Sequence, residues 1–359
     1  CSAWHRPSVA ERFDATTNGA SRYVDAVTST RRVHAPGRVN LIGDHTDYTG
    51  GLVFPMAIDR GTTIEFETGG SAIELRSDAE DEPIRIELPA TGDPSIVAPR
   101  WGTYVAAMAH ELGAATGITG RVTSTIPAGA GLSSSAALEC AVGLALGFDG
   151  TPTDLALAAQ RAEHAATGVP TGIMDQLCIA AARRGHATMI DCHTREVTHV
   201  AVPDDLDIVV RFVAHRTLVG SAYADRVAEC RAAEDVLGPL RSATSDAVAA
   251  AHLDDVVRRR ARHVVTENQR VVGFAAALAD RDYGAAGSLM IESHRSLASD
   301  FETSTPTMDL AVADLIETPG VFGARMTGGG FGGCVVAICE PGALTDGWIV
   351  EASDGARFL

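Results

Sequence analysis

No lysine occurs anywhere in the chain: all 29 basic residues are arginine. That absence excludes whole reaction classes, because a Walker-A loop, a protein-kinase-type ATP site and a Schiff-base enzyme each depend on a lysine ammonium. If the chain binds ATP, another device must hold the phosphates. Cysteine is sparse and unpatterned. The seven (Cys1, Cys140, Cys178, Cys192, Cys230, Cys334 and Cys339) are odd in number and form no C-x-x-C pair, so neither a disulfide framework nor a zinc site is indicated, and they read as reduced core thiols. No apolar run approaches the roughly 18 to 20 residues of a membrane helix. The first residues, CSAWHRPSVAERFD, carry charge where an export signal needs an apolar stretch. The expected setting is the cytoplasm. Positive charge is also in deficit: 46 acidic against 29 basic residues give a net charge of −17, which argues against a general affinity for nucleic acid. Any bound phosphate must be held locally.

What is present suits a globular enzyme of one large or two medium domains. The first hundred residues read as strands: RRVHAPGRVNLIG, LVFPMAID, TTIEFET and IRIELP are short β-rich runs broken by Gly, Pro and Asp. From Trp101 the period lengthens to helical, through WGTYVAAMAHELGAATG, the strand GRVTSTIP, the apolar SSSAALECAVGLALGFDG, and TDLALAAQRAEHAATG with a cap expected at Thr153. A shorter helix begins near Met174, then HATMIDC and LDIVVRFVAH read as strands, and the remainder is mostly helical until FGARMTG and CVVAICEP. This is an α+β chain. The expected domains are 1–203 and 204–359, changing at Pro203, and the basic run VVRRRAR around Arg258 to Arg260 reads as a solvated helix face.

Four segments carry chemistry. IPAGAGLSSSAALE, residues 126 to 139, places small residues and three serines between a strand and a helix start, where free amides and the helix dipole favour an anion. The loop from Gly129 through Ala130, Gly131, Leu132, Ser133 and Ser134 to Ser135 is the obvious phosphate cradle, although serine caps and glycine turns also occur without ligands. TGGGFGG, Thr327 to Gly333, has more glycine than a hairpin needs and suits either close backbone approach or a mobile bulge. APGRVNLIGDHTDYTGG, residues 35 to 51, gathers Arg38, Asp44, His45, Thr46 and Asp47; carboxylates and imidazole recognise polyol hydroxyls, and a metal set or turn caps are the other readings. GVPTGIMDQL sets Asp175 in the first residues of a helix, where capping alone accounts for it.

These segments in this order resemble the GHMP kinase superfamily, and GRVNLIGDHTDY resembles the signature of its galactokinase family. PAGAGLSSSAA is similar to the superfamily's second motif, MTGGGFGG to its third, and AEHAATGVPTGIMDQ is also galactokinase-like. The resemblance implies a two-domain GHMP kinase fold, with mixed and antiparallel sheets covered by helices and the active site in the interdomain cleft. It also implies an ATP-dependent sugar 1-kinase acting on the C1 hydroxyl of galactose. By position, Arg38 falls on the transition-state arginine, Asp44 to Asp47 (His45 and Thr46 included) and Tyr223 on the sugar contacts, Gly129 to Ser135 on the nucleotide site, Ser135 and Glu163 on the Mg2+ ligands, and Asp175 on the acid–base position. Asp44 stands where the family often has glutamate, which shortens its reach. A silent sugar- and ATP-binding sensor and a sibling N-acetylgalactosamine kinase are the alternatives; the complete GLSSSAA and the presence of Asp175 argue against the sensor.

Overall fold

The computed structural model describes residues 30–127, 129–215 and 221–359. In chain order its elements are β1 (Arg31–Ile42), β2 (Leu52–Thr68), β3 (Ala72–Ser77), β4 (Ile84–Glu87), α1 (Trp101–Glu111), β5 (Ile118–Ser124), α2 (Ser134–Ala145), α3 (Pro152–Thr167), α4 (Met174–Ala181), β6 (His186–Asp191) and β7 (Glu196–Ala201). Then follow β8 (Asp207–Ala214), α5 (Ser221–Leu237), α6 (Ser245–Ala250), α7 (Asp255–Ala279), α8 (Tyr283–Ser299), α9 (Pro306–Ile316), β9 (Val321–Thr327), β10 (Gly333–Cys339), β11 (Trp348–Ile349) and β12 (Arg357–Phe358). One sheet runs β12-β1-β2-β5-β3-β4, with β6 and β7 continuing from β2; the second runs β11-β8-β10-β9. All pairings are antiparallel except β3 with β5. The chain therefore passes from the first sheet to the second between Ala201 and Asp207, and β12 brings it back.

Two apolar cores result, one joining the first sheet to α1–α4 and to one face of the second sheet, the other joining the opposite face of the second sheet to α5–α9. α7 feeds both: Ala261, Val264 and Val265 pack in the second core, whereas Val271, Phe274 and Leu278, two to three turns on, pack in the first. β8, β10 and α8 also place side chains in both, so several elements together tie the two cores. Among the described residues no helix is long and apolar enough to cross a membrane.

Several local expectations change. LVFPMAID and TTIEFET are one 17-residue strand, because the register steps from Pro36↔Gly61 to Arg38↔Ala57 and the polar Asp59 and Arg60 bulge out of the ladder without ending it. α3 is capped by Thr151, in a capping box with Asp154, and not by Thr153, since Pro152 takes the first helical position. The helix α8 falls within the stretch read as mostly helical, although Gly284 and Gly287 dilute its periodicity; a Cβ at Gly287 would lie 1.9 Å from Phe322 O, so close packing on β9 demands glycine there. Arg258–Arg260 is not a solvated face. Arg260 is buried and donates to Glu229, Glu302 and Asp300 O, while Arg258 donates to the carbonyls of Val248, Ala251 and Leu253 at the end of α6.

Candidate active site

β1 leaves the sheet at Ile42 through a turn whose conformation depends on long-range partners. Gly43 N donates to Glu267 Oε1 of α7 at 3.0 Å, and His45 takes a left-handed φ of 66° that a non-glycine residue adopts only when its surroundings impose it. The turn delivers Asp44, His45 and Asp47 to the wall of a cleft of about 410 Å³. Asp44 is clamped: Arg325 Nη2 of β9 stands 2.5 Å from its Oδ2, and Gly328 N donates to its Oδ1 at 3.0 Å. Glu267 and Arg325 lie 4.0 Å apart in the same buried cluster, where Ser293 and Arg270 also donate to Glu267. Burial alone would raise the Glu267 carboxyl; Arg270, then His263 and Arg325, outweigh it and hold it at about 2. Thr46 does not reach the cleft. Its hydroxyl donates to Gly43 O and Leu52 O, so it belongs to the turn.

Opposite stands the serine loop. Gly129 and Gly131 take left-handed φ values of 72° and 74°. α2 starts at Ser134 behind Ser133, itself at φ 60° and making no side-chain cap. The expected cap is missing because Ser133 Oγ is engaged elsewhere: it forms a short hydrogen bond to Asp175 Oδ2. The first amides of α2 are consequently left without the side-chain partner a cap would supply. Ala130 and Leu132, expected in the same set, are buried in the first core and leave only their backbone to the loop; Leu132 O accepts from Arg38 N at 3.2 Å.

Asp175, in the first turn of α4, joins the two sides. Arg38, 5% exposed, approaches its Oδ1 through Nε at 2.7 Å and Nη2 at 2.6 Å, and reaches Gly131 O through Nη1 at 2.8 Å. One arginine thus fixes both the carboxylate and the glycine loop. Gly172, just before α4, is needed for a different reason: a Cβ there would lie 1.9 Å from Asp47 Oδ2. Asp47 is half-buried beside it, and burial first, then the charges of Asp175 and Asp44, push its carboxyl up to about 7.

At the far end Ser135 Oγ donates to Glu163 Oε1 at 3.0 Å, and Gln176 and Thr171 donate to Glu163 Oε2 at 2.6 and 3.3 Å. Burial, then Asp175, raises the Glu163 carboxyl. Tyr223 also lines the cleft, its ring 5.7 Å from His45 and 5.6 Å from Tyr48. Of the expected residues, Arg38, Asp44, His45, Asp47, Gly129, Gly131, Ser133–Ser135, Glu163, Asp175 and Tyr223 share this one cleft. Gly328–Phe331, from the glycine segment Thr327–Gly333, line the same cleft, and three residues given no site role by the sequence join them: Thr171 on the wall, and Arg325 and Glu267 behind it. Arg325 and Glu267 had no local signal at all.

The sequence matches family profiles described as the galactokinase galactose-binding signature at residues 21–68, the GHMP kinase N-terminal domain at 101–183 and the GHMP kinase C-terminal domain at 274–345. It is 38% identical to human galactokinase, covering 99% of both chains, and 44% identical to the galactokinase of Mycobacterium tuberculosis, covering 85% of this chain and 87% of that one. The crystal structure of Lactococcus lactis galactokinase complexed with galactose superposes with a TM-score of 0.87 at 29% identity, over 92% of this chain and 95% of that one. The mevalonate kinase of Methanococcus jannaschii, at 20% identity and a TM-score of 0.64, shares the fold. Sequence identity over nearly the whole length, the signature on the Asp44–Asp47 turn and the two-core architecture agree: the chain belongs to the galactokinase family of the GHMP kinases.

Proposed function

We propose that the chain transfers the γ-phosphoryl group of ATP in line to the C1 hydroxyl of galactose, giving galactose 1-phosphate and ADP. The observation that carries this reading is the position of Asp175, hydrogen-bonded to the serine loop through Ser133 and to Arg38 while lining the cleft that Asp44 and Asp47 also line. The amides at the start of α2 would take the phosphates that a lysine takes elsewhere. Asp44, His45, Asp47 and Tyr223 would hold the sugar, Asp175 would accept the C1 hydroxyl proton, and Arg38 would neutralise charge as it gathers on the transferring group. We assign 1–203 and 204–359 to the two halves that flank the cleft, with β12 crossing back to the first sheet. A cytoplasmic setting fits the described cysteines, which are free thiols.

The residues at the far end fit a hard divalent cation. Glu163 is a half-buried carboxyl whose hydrogen-bond partners Ser135, Gln176 and Thr171 are all neutral, and hydroxyl and carboxylate oxygens are the donors Mg2+ prefers. Among the described residues no three His, Cys, Asp or Glu side chains are placed to hold a metal by themselves, so Ser135 and Glu163 would share the ion with nucleotide phosphates. When bound, Mg2+ neutralises phosphate charge.

A coupled assay over a panel of hexoses tests the reading: ADP release that requires galactose supports it. Galactose and ATP binding without turnover overturns it in favour of a sensor. Asp47 adds a pH signature. Sugar hydroxyls donate to the ionised carboxylate and so lower its pKa from about 7 in the empty site. Galactose affinity is therefore full above that value and falls as pH drops through it, by at most about tenfold per unit. The galactose KM of the native chain should rise steadily from about pH 7 to 5.5, and Asp47→Asn should flatten the profile. A flat native profile would remove Asp47 from the sugar site.

A further inference from the structure

The roles above account for Ser135 and Glu163 but not for the two side chains behind Glu163. Glu139 comes from α2 and Gln176 from α4, and both are completely buried. Gln176 Nε2 donates to Glu163 Oε2 at 2.6 Å and to Glu139 Oε2 at 3.4 Å. The remaining oxygens of the inner pair, Glu139 Oε1 and Gln176 Oε1, are buried without a hydrogen-bond partner. Two unpaired buried acceptors are costly, and native interiors rarely keep them. One hydrogen satisfies both. If Glu139 carries a proton on Oε1 and donates it to Gln176 Oε1 while its Oε2 accepts from Nε2, acid and amide close a two-bond ring, and the second amide N–H is left aimed at Glu163. Burial first, and the Glu163 charge next, favour the neutral acid by raising the Glu139 carboxyl well above its ordinary range.

We propose that Glu139 is a positioning residue, which locks the amide of Gln176 and through it holds the Glu163 carboxylate turned toward Ser135 for the cation. This rests on Glu163 being a ligand to that cation. The geometry favours a link over simple packing because Gln176 joins the two carboxyls through one amide nitrogen, so any rotation of Gln176 that frees Glu139 also releases Glu163 Oε2.

The probe is Mn2+ with ADP, followed by loss of the free-Mn2+ electron paramagnetic resonance signal. Glu139→Leu should weaken Mn2+ binding roughly 10- to 100-fold, the usual cost of removing a partner behind a metal ligand, while galactose affinity stays at the native value. Gln176→Met cuts the link from its other side and should weaken Mn2+ binding equally. Glu139→Gln can form the same two-bond ring with an amide in place of the acid and should restore native Mn2+ binding. Native Mn2+ binding in a folded Glu139→Leu or Gln176→Met variant, or failure of Glu139→Gln to restore it, overturns the proposal. Glu163→Gln separates the premise: unchanged Mn2+ binding there overturns the metal reading itself, whereas weakened binding there with native binding in Glu139→Leu overturns only the role of Glu139.

Discussion

Replacing Asp175 by asparagine should lower kcat by about 10²- to 10⁴-fold, the range expected when a positioned general base is lost, and should leave galactose bound nearly as well as before. The structure explains why the two effects separate. In the native site Oδ1 accepts from Arg38 Nε and Nη2, and Oδ2 accepts from Ser133 Oγ. Asparagine can keep its oxygen toward Arg38 and turn its amide to Ser133, whose hydroxyl then rotates to accept. The junction between the serine loop and α4 stays assembled; what disappears is the basic carboxylate oxygen. A second readout comes from Asp47, whose raised carboxyl owes part of its shift, after burial, to the Asp175 charge. Removing that charge should move the fall in galactose affinity to lower pH. Single-turnover rates, calorimetric galactose binding and the pH profile check the three parts. A variant with near-native turnover would take Asp175 out of the chemistry.

How much of this was legible in the sequence follows from distance along the chain. The turn from Gly43 to Gly50 and the loop from Gly129 to Ser135 are local arrangements, written in glycine positions and short polar side chains, and both lie where the pattern puts them. The fold class was legible for the same reason, since strand and helix periods survive in most elements. Ser133 shows where local reasoning stops. It looks like a helix cap, yet its hydroxyl serves Asp175 and its backbone is left-handed, a local rule broken at the site where function would break it. The joining of two runs into β2 depends on a bulge opposite Gly37, and the burial of Arg260 depends on Glu229 and Glu302, neither visible in a periodic pattern. The clamp on Asp44 is further still: Arg325 and Gly328 meet it across more than 280 residues. No window reading brings such partners together.

That clamp supports the second large effect, a loss of about 3–5 kcal/mol of folding stability in Arg325→Met, the usual consequence of removing one partner from a buried ion pair. Arg325 has no exposed surface, and its guanidinium also lies within 3.3 and 3.4 Å of Leu41 O and Asn40 O at the end of β1. Methionine fills much of the arginine's apolar volume, so the cost comes from charge and not from a cavity. Two carboxylates feel it unequally. Glu267 keeps Arg270 at 2.7 Å and Ser293, whereas Asp44 keeps only the neutral Gly328 N and Asn40 side chain close by, with the Arg38 charge farther off. Burial already raises the Asp44 carboxyl, and Arg325 is the first of the groups opposing it. Without Arg325 the neutral acid is favoured, and a neutral Asp44 gives up charge at the sugar wall. Galactose affinity should therefore fall in parallel with stability. Urea unfolding of the native chain, Arg325→Met, Asp44→Asn and the double variant separates the contributions: the double variant should be more stable than Arg325→Met alone, because asparagine leaves no unpaired charge. A double variant at least as unstable as the sum of the singles would mean that Arg325 acts through packing alone, and that Asp44 owes its position to the turn and not to the clamp.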